Sequence, residues 1–493
     1  MSAALRADGH AVVIEGVSIV SPGLRGKADV LPAGAAGLRG ADSARDVLVE
    51  ALDLTGMQEQ RTIVIRDHSM DTTALTTGIS RSTEHGEPGL SLTVPGPGTG
   101  MGQVLLAADE AGILSWVLPD DVPAAEAVTR GGDTRTYTIP IAVAEVRDDG
   151  QRGLLAAIGK KVLKVLAFRL LDKVAGEFAN RFAAQWEEGA HPYRLRPFGP
   201  DDYRNPDARA LTAADLRRYS GAPALLLVHG EMNLSHSGFG RLPPEVMRRL
   251  HNQYQGRVFA FDHPTVSVTP TANATWLADL VRGADLTVDI VAHSRGGLVA
   301  RVLAERPDAV GLIANSLDVR RLIMVATPNQ GTALANTDGL SKFVDRVTNL
   351  LEFVPDNAVT DVLSIVISVV KQLAVGAYNG LDGIIAMKPG GPWLTELNNQ
   401  RPTTATYFAV SSNYEPPDGS PLARVARDRV TDLVFKNIGN DLIVPEAGVY
   451  APNGASSFPV TDPLTLTAMQ SVDHSSYWTC HAVHARLDQW LAL

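Results

Sequence analysis

The strongest constraint on how this chain can fold lies in residues 287–301, which read Thr-Val-Asp-Ile-Val-Ala-His-Ser-Arg-Gly-Gly-Leu-Val-Ala-Arg. The apolar first half predicts a strand covered on both faces, and the pattern after the serine is typical of a helix. A strand that turns directly into a helix at Ser294 needs small residues around the turn, and Ala292 and Gly296 meet that need. We therefore expect a strained backbone at Ser294 that lifts its hydroxyl above the sheet.

Three further apolar runs indicate the surrounding architecture. They occupy residues 222–228, 257–261 and 320–326, within a repeated pattern of strand, loop and helix. Runs without alternation are typical of parallel strands that helices cover on both faces. The sequence therefore predicts an α/β domain with a mostly parallel sheet over residues 211–493.

The first part of the chain has a different pattern. Short strand-like segments separated by Gly, Pro and Asp turns fill residues 10–147. This spacing predicts a β-rich, sandwich-like N-terminal domain over residues 1–150. The glycines of residues 95–102 are interleaved with proline and are not followed by Lys-Ser or Lys-Thr, so they indicate a turn rather than a phosphate-binding loop.

Residues 154–186 have apolar positions at helical spacing and lysines between them, which predicts a long amphipathic helix. With the Pro, Gly and Asp-rich residues 192–207, this helix would form a linker over residues 151–210. Its basic face would either contact a membrane surface or remain in water while the helix connects the two domains. We favour the connector.

The segment 292–297, Ala-His-Ser-Arg-Gly-Gly, resembles the nucleophile elbow of the α/β hydrolases, in the form found in a group of small bacterial lipases. Ala292 replaces the first glycine of the G-x-S-x-G pattern. The resemblance covers residues 220–493. It implies an α/β-hydrolase fold, Ser294 as the nucleophile and lipase-like or esterase-like activity.

The same resemblance implies the position of the oxyanion hole. The strand at residues 225–228 ends in His229-Gly230, and the loop after this strand supplies one N–H group in lipases and esterases. That donor would be Glu231 or Met232, and Arg295 would supply the second. His229 itself is interpreted as structural, because triads of this fold do not place the base before the nucleophile.

Chain order directs the search for the base towards the C-terminus, because the histidine comes last in triads of this fold. His474 follows an aspartate in a loop that resembles the Asp-His loop of lipases, and it is our candidate for the base. His481 and His484 lie within the final helical pattern and are interpreted as surface or packing residues. His293 adjoins the nucleophile.

The candidate for the acid is Asp441, because residues 440–444 match the Asn-Asp-x-x-Val acid loop of the same family. Asp441 would accept the Nδ1–H of His474 and stabilise the imidazolium. Asp432, at the start of a predicted strand over residues 432–435, and Asp473 are the rivals. Asp473 adjoins His474 in sequence and is expected to cap a helix instead.

An insertion over residues 333–400 follows a segment, residues 327–332, that resembles the Thr-Pro-x-x-Gly-Thr loop of lipases. Two apolar helical stretches, residues 340–354 and 359–377, are predicted in it. They would either cover the active site as a cap with an apolar acyl-chain pocket, or merely pack against the sheet. Charged residues Asp361 and Lys371 interrupt the more apolar stretch, which is too short to cross a bilayer.

Composition excludes several classes of partner. The net charge of −10 argues against a nucleic-acid or anionic-membrane partner for the whole molecule, although a peripheral membrane contact through the amphipathic helix or the cap stays open. The single cysteine, Cys480, allows neither an internal disulfide nor a Cys-based zinc cluster, and no cofactor or metal is expected. With no signal-peptide pattern, a cytoplasmic location is expected.

Together these features predict a serine hydrolase that cleaves carboxylic esters with an apolar acyl group through an acyl-enzyme intermediate. A small-molecule or lipid-like ester would be the substrate. An acyltransferase, a thioesterase or an amidase would use the same triad. A binding or interaction protein on a hydrolase scaffold is the alternative from another class.

Overall fold

The computed structural model describes residues 1–34, 42–70, 89–108, 114–120, 134–140, 161–169, 182–335, 340–349, 359–375, 381–399, 403–416, 438–452, 458–460 and 462–491. The chain divides into two compact units. The first comprises Met1–Phe182 and Ile367–Tyr378, and the second comprises Ala183–Val366 and Asn379–Leu493.

The first unit is built from antiparallel strands. They form a six-stranded sheet in the order β1-β4-β5-β10-β7-β8 and a four-stranded sheet in the order β2-β3-β6-β9, with helix α1 (Asp42–Leu54) between β4 and β5 in the chain. The strands are β1 (Ser2–Ala4), β2 (Val12–Ile14), β3 (Val17–Val20), β4 (Leu24–Pro32), β5 (Met57–Met70), β6 (Gly89–Pro95), β7 (Met101–Ala108), β8 (Leu114–Val117), β9 (Thr134–Pro140) and β10 (Lys161–Arg169).

Both sheets contribute to one hydrophobic core. Ile19 and Leu92 of the smaller sheet and Ile63 and Leu163 of the larger one belong to the same buried cluster, and each is fully buried. Alternate residues of paired strands point to the same face, so one face of each sheet supplies the core. The β-rich N-terminal fold predicted from the sequence is confirmed.

The prediction of a long helix over residues 154–186 is wrong. Lys161–Arg169 is strand β10, which pairs antiparallel with β5 on one side and with β7 on the other. Its side chains from Val162 to Phe168 are buried, because both faces of this central strand are covered. A continuous apolar run satisfies helical spacing as easily as strand spacing, and tertiary pairing decides between them. Lys164 forms an ion pair with Glu59, so it does not contribute to a basic solvent face.

The second unit contains a seven-stranded sheet in the order β11-β13-β12-β14-β15-β16-β17. Its edge strand β11 is antiparallel, and every other pairing is parallel. The predicted α/β-hydrolase fold, with a mostly parallel sheet flanked by helices, is confirmed. The strands are β11 (Arg194–Pro197), β12 (Ala224–Val228), β13 (Val258–Asp262), β14 (Leu286–His293), β15 (Leu317–Val325), β16 (Thr406–Ser412) and β17 (Leu464–Leu466).

Helices connect these strands and cover the sheet. Those outside the insertion are α2 (Phe182–Ala190), α3 (Ala213–Leu216), α4 (Ser235–Gly238), α5 (Pro244–Gln253), α6 (Pro270–Leu280), α7 (Gly296–Glu305), α12 (Ala447–Tyr450) and α13 (His481–Trp490). The insertion contributes α8 (Leu340–Asn349), α10 (Asp382–Ile385) and α11 (Pro392–Asn398). It also contains α9 (Val359–Ala374), which belongs to the first unit from Ile367 onward. Every helix within the described ranges is too short or too polar to cross a bilayer.

The parallel strands bring several loops to one edge of the sheet. Strand β14 lies at the centre, between β12 and β15, and its residues are almost all buried. Because the carboxyl ends of parallel strands meet at the same edge, the turns that follow Val228, His293 and Val325 lie there together. The predicted strand over residues 432–435 lies outside the described residues.

The contact between helix α7 and strand β12 leaves no room for a side chain at the first residue of the helix. A Cβ atom added to Gly296 would lie 2.4 Å from the carbonyl oxygens of Val228 and His229. Backbone atoms cannot yield as a flexible side chain can, so the close approach depends on glycine.

We therefore expect Gly296→Ala to lower the free energy of unfolding by about 1–3 kcal/mol or to prevent folding. Gly189→Ala is the matched control, because an added Cβ meets no atom within 4 Å there, and it should stabilise helix α2 by about 0.5–1 kcal/mol. Urea unfolding of both variants measures the difference. Equal unfolding midpoints would contradict the packing described here.

Candidate active site

The turn between β14 and α7 holds Ser294 in a backbone conformation that few serines adopt. Its φ of 52° lies in the left-handed region, and its N–H donates to the carbonyl oxygen of Val325 at 2.8 Å. Gly230 packs against it so closely that an added Cβ would lie 2.7 Å from the Ser294 Cβ. Such strain persists only where the surrounding structure holds it, and here two neighbouring strand ends do so.

The structure brings together the three side chains that the sequence singles out as nucleophile, base and acid. His474 Nε2 lies 2.9 Å from Ser294 Oγ, and His474 Nδ1 lies 2.8 Å from Asp441 Oδ2. The backbone N–H of His474 also donates to the Asp441 carbonyl oxygen at 2.9 Å. The imidazole is thus held between a hydroxyl and a carboxylate, with its Nδ1–H directed at the carboxylate.

Asp441 is buried and accepts several further hydrogen bonds. Tyr477 donates its hydroxyl to Oδ2 at 2.9 Å, while the N–H groups of Ile443 and Val444 donate to Oδ1 at 3.1 and 2.7 Å. Burial opposes ionisation, but His474, Val444 and Tyr477 outweigh it, so the pKa of Asp441 lies below its ordinary value. The carboxylate is therefore charged at neutral pH.

His293 has a supporting role that its sequence context does not indicate. His293 Nε2 lies 2.9 Å from the carbonyl oxygen of His474. Burial and the neighbouring His474 lower the pKa of His293 to about 3, so the ring is neutral and its Nε2–H donates to that oxygen. The bond joins residues 181 positions apart, and no local pattern signals such a contact.

The rival residues have other partners. Asp473 Oδ1 accepts the N–H of Ser475 at 2.9 Å, which stabilises the turn after His474. His484 is buried with Nε2 2.8 Å from the Trp478 carbonyl oxygen, whereas His481 is exposed at the start of α13. Asp432 lies outside the described residues.

The loop after β12 carries the candidate oxyanion donors. His229 is buried, with Nδ1 2.9 Å from the Gly230 carbonyl oxygen and Nε2 accepting the N–H of His263 at 3.1 Å, which fits a structural role. Met232 donates its N–H to Thr265 Oγ1 at 3.0 Å, so this group is already engaged. The N–H groups of Glu231 and of Arg295, which directly precedes α7, remain the stronger candidates.

The side chain of Arg295 is fully buried and joins helices α6 and α10 to the loop that precedes α6. It donates to the carbonyl oxygen of Gly383 at 3.3 Å, to Asn273 Oδ1 at 3.0 Å and to the carbonyl oxygen of Val268. The guanidinium thereby fixes the residue whose backbone N–H is a candidate donor, and it attaches the segment around α10 to that loop.

A cavity of about 430 Å³, including its open mouth, adjoins the nucleophile. Among the described residues, its lining includes no aliphatic side chain, no Phe, Tyr or Trp, and no residue of the insertion 333–400. Its lining consists of Glu231, Asn233, Ser237, Gly238, Arg241, His293, Ser294, His474 and Ser475. The apolar acyl-chain pocket expected from the sequence is therefore not found at this cavity.

In the part of the chain that the structure describes, His, Cys, Asp and Glu side chains do not converge in groups of three that would hold a metal ion. The chemistry available at the cavity is that of a hydroxyl, an imidazole and a carboxylate in series, beside backbone N–H groups. This combination can activate an oxygen nucleophile and stabilise a developing oxyanion.

Comparison with known proteins places residues 190–492 in a family whose description is "Domain of unknown function (DUF7379)". The chain belongs to this family. No curated protein matches it. The chain resembles α/β hydrolases of the lipase and esterase type among solved structures, at low sequence identity.

Three of these structures illustrate the similarity. Mature lipase BlEst2 of Bacillus licheniformis is 18% identical, with 55% of this chain and 93% of that chain covered and a TM-score of 0.34. Lipase 1 from Pelosinus fermentans is 15% identical, with 54% and 99% covered and a TM-score of 0.39. Phospholipase PlaB from Legionella pneumophila is 14% identical, with 55% and 60% covered and a TM-score of 0.36. The fold assignment rests on the strand order and elbow of this chain itself.

The Tyr477 hydroxyl provides a test of the buried carboxylate. Tyr477→Phe removes one donor to Asp441, and we expect it to lower the free energy of unfolding by about 1.5–3 kcal/mol at neutral pH. Because the folded-state pKa of Asp441 lies below 3.8, this stabilisation is present above pH 3.8 and is lost as pH falls through the folded-state value. Urea unfolding across acidic and neutral pH measures it.

Tyr219→Phe is the control, because the Tyr219 ring stacks on Phe259 and its hydroxyl has no hydrogen-bond partner among the described residues. It should change stability little at any pH. A loss in Tyr477→Phe that stayed constant into strong acid would show that the hydroxyl does not act through an ionised Asp441.

Proposed function

We propose that this protein hydrolyses carboxylic esters through an acyl-enzyme intermediate on Ser294. The observation that carries the proposal is the unbroken hydrogen-bond chain from Ser294 Oγ through His474 to Asp441, at 2.9 and 2.8 Å, with the serine held in a strained elbow. A buried serine, histidine and aspartate in this order have the connectivity that nucleophilic catalysis requires.

In the first step, Ser294 Oγ attacks the carbonyl carbon of the ester while His474 Nε2 takes the hydroxyl proton. The imidazolium that forms is stabilised by the Asp441 carboxylate, which keeps the Nδ1–H in place. Because Asp441 already has three other donors, it does not need to take the proton from His474.

The carbonyl oxygen becomes an oxyanion, which the N–H groups of Arg295 and Glu231 would bind. Helix α7 begins directly after Arg295, so its N-terminal dipole adds to the stabilisation. His474 then protonates the leaving alkoxide, and the alcohol departs. Water attacks the acyl-enzyme by the same route, which releases the acid and restores Ser294.

For the acyl group, the cavity supports a short chain better than a long apolar one. Its described lining has no aliphatic side chain that could cover a long hydrocarbon chain. We expect nitrophenyl acetate and butyrate to be cleaved with higher kcat/KM than the dodecanoate. Product analysis with a competing alcohol separates hydrolysis from acyl transfer.

The nucleophile is tested by labelling with a fluorophosphonate probe. We expect wild type to be labelled and Ser294→Ala to be neither labelled nor active, with kcat lowered by roughly 10³–10⁶-fold. Ser220→Ala is the matched control, because Ser220 is exposed and its hydroxyl bonds only locally to the Arg217 carbonyl oxygen. Labelling of Ser294→Ala at the wild-type rate would reject the assignment.

The acid is tested by comparing Asp441→Asn with Asp473→Asn. The first replaces the carboxylate that holds His474 Nδ1–H, and we expect kcat to fall by roughly 10²–10⁴-fold. The second retains an oxygen that can accept the Ser475 N–H, so its kcat should stay within about threefold of wild type. The reverse order of effects would make Asp473 the acid.

A further inference from the structure

The Glu231 carboxyl group is buried beside the nucleophile, and the reaction just described gives it no role. Its side chain is only 5% exposed, and among the described residues neither carboxyl oxygen has a hydrogen-bond partner. Glu231 follows Gly230, which packs on Ser294, and it belongs to the lining of the same cavity. A buried carboxylate without donors is costly, so its charge state needs an explanation.

The nearby donors are committed to other acceptors. The Met232 N–H and the Thr265 hydroxyl lie close enough to favour an ionised Glu231, but the N–H donates to Thr265 Oγ1 at 3.0 Å. The Thr265 hydroxyl in turn lies 3.4 Å from Glu187 Oε1 and donates to it. Among the described residues, neither group therefore completes a hydrogen bond to the Glu231 carboxyl, and their effect on its ionisation is smaller than that of burial.

A second buried carboxyl takes most of the donors in this region. Glu187 accepts the N–H groups of Thr265, Val266 and Ser267 at 2.6, 2.8 and 2.8 Å, and it accepts the Ser267 hydroxyl at 2.6 Å. The negative charge of Glu187 disfavours a second carboxylate nearby, so it raises the pKa of Glu231.

One guanidinium faces both carboxyl groups. Arg295 Nε lies 3.3 Å from Glu231 Oε2, but its hydrogen is directed at the Gly383 carbonyl oxygen. The charge of Arg295 balances that of Glu187, and an ionised Glu231 would leave the group with a net negative charge. The neighbouring His229 and His263 add no positive charge, because burial lowers the pKa of both rings.

The net effect of these surroundings is to raise the pKa of the Glu231 carboxyl group. Burial raises the pKa of Glu231 to about 8; Arg295 opposes this rise and Glu187 adds to it. The carboxyl is therefore mainly neutral at pH 7 and ionises in mild alkali. The backbone N–H of the same residue is one of the proposed oxyanion donors.

We propose that the Glu231 carboxyl group permits the reaction only while it is neutral. Ionisation would place a negative charge beside the oxyanion that forms on the attacked carbonyl, and the two like charges would repel each other in a poorly solvated site. The inference rests on the proposed ester hydrolysis at Ser294. It predicts that activity falls in mild alkali because Glu231 ionises, and that a substitution at Glu231 abolishes this fall.

The kinetic test is the pH profile of kcat/KM for nitrophenyl acetate in wild type and Glu231→Gln. Wild type should lose roughly tenfold or more as pH rises through about 8. Glu231→Gln imitates the neutral carboxyl, so its kcat/KM, taken relative to its own value at pH 7, should show no such loss. Glu245→Gln, at an exposed position of α5, is the matched control and should retain the wild-type profile.

A second measurement does not depend on catalysis. Because the folded-state pKa of Glu231 lies above the ordinary value of 4.5, its neutral form stabilises the fold at low pH. That stability is lost as pH rises from about 4.5 through about 8. The Tm of Glu231→Gln should therefore rise relative to that of wild type across this interval, while the Tm difference for Glu245→Gln stays nearly constant.

The outcomes separate the two proposals. Wild type that neither hydrolyses the ester nor reacts with the fluorophosphonate at any pH would overturn the proposed function, and the Tm comparison would still report the charge state of Glu231. An active wild type without an alkaline loss, a loss that persists in Glu231→Gln, or a Tm difference independent of pH would each overturn the inference about Glu231 alone.

Discussion

The close approach of strand and helix around Ser294 is the constraint on which the rest of the site depends. Gly296 allows α7 to begin against the carbonyl oxygens of Val228 and His229, and Gly230 allows the neighbouring loop to reach the serine. Gly297 allows helix α7 to pack against Thr327, because a Cβ added to Gly297 would lie 2.0 Å from Thr327 Oγ1. With side chains at these positions, the turn could not hold Ser294 at positive φ, and its hydroxyl would not meet His474.

Hydrogen bonds from distant parts of the chain hold the other two members of the constellation. Asp441 is fixed by its own loop and by Tyr477, and Thr332 reaches the same loop by donating to the Ile443 carbonyl oxygen at 2.5 Å. His293 holds the backbone of His474. These bonds offset the cost of burying a charged carboxylate, and they orient the imidazole before any substrate arrives.

Two buried carboxyl groups near the nucleophile differ in their electrostatics. Hydrogen-bond donors keep Asp441 charged, whereas burial with few donors favours the neutral form of Glu231. The same residue type therefore has opposite charge states within one site, and the difference comes from hydrogen bonding and burial rather than from side-chain chemistry.

Local pattern was enough for much of the fold. The apolar runs predict the parallel strands because strands buried on both faces have no alternation, and the small residues around Ser294 predict the elbow. The same reasoning failed at residues 161–169, where an apolar run with helical spacing is a central strand of the N-terminal sheet. Such a run fits both periods, and only its pairing with β5 and β7 decides between them.

By itself, then, the sequence determined the α/β fold of the second unit, the position of the strained serine and, through chain order and resemblance, which histidine and aspartate to consider. Only the tertiary structure decided what those side chains touch: that His293 supports His474, that Met232 has its N–H engaged, and that Glu231 lacks donors. The physical reason is that a strand or a turn follows from neighbouring residues, whereas a hydrogen-bond partner and a charge state depend on groups far away in the sequence. Ser294 and His474, for example, are 180 positions apart.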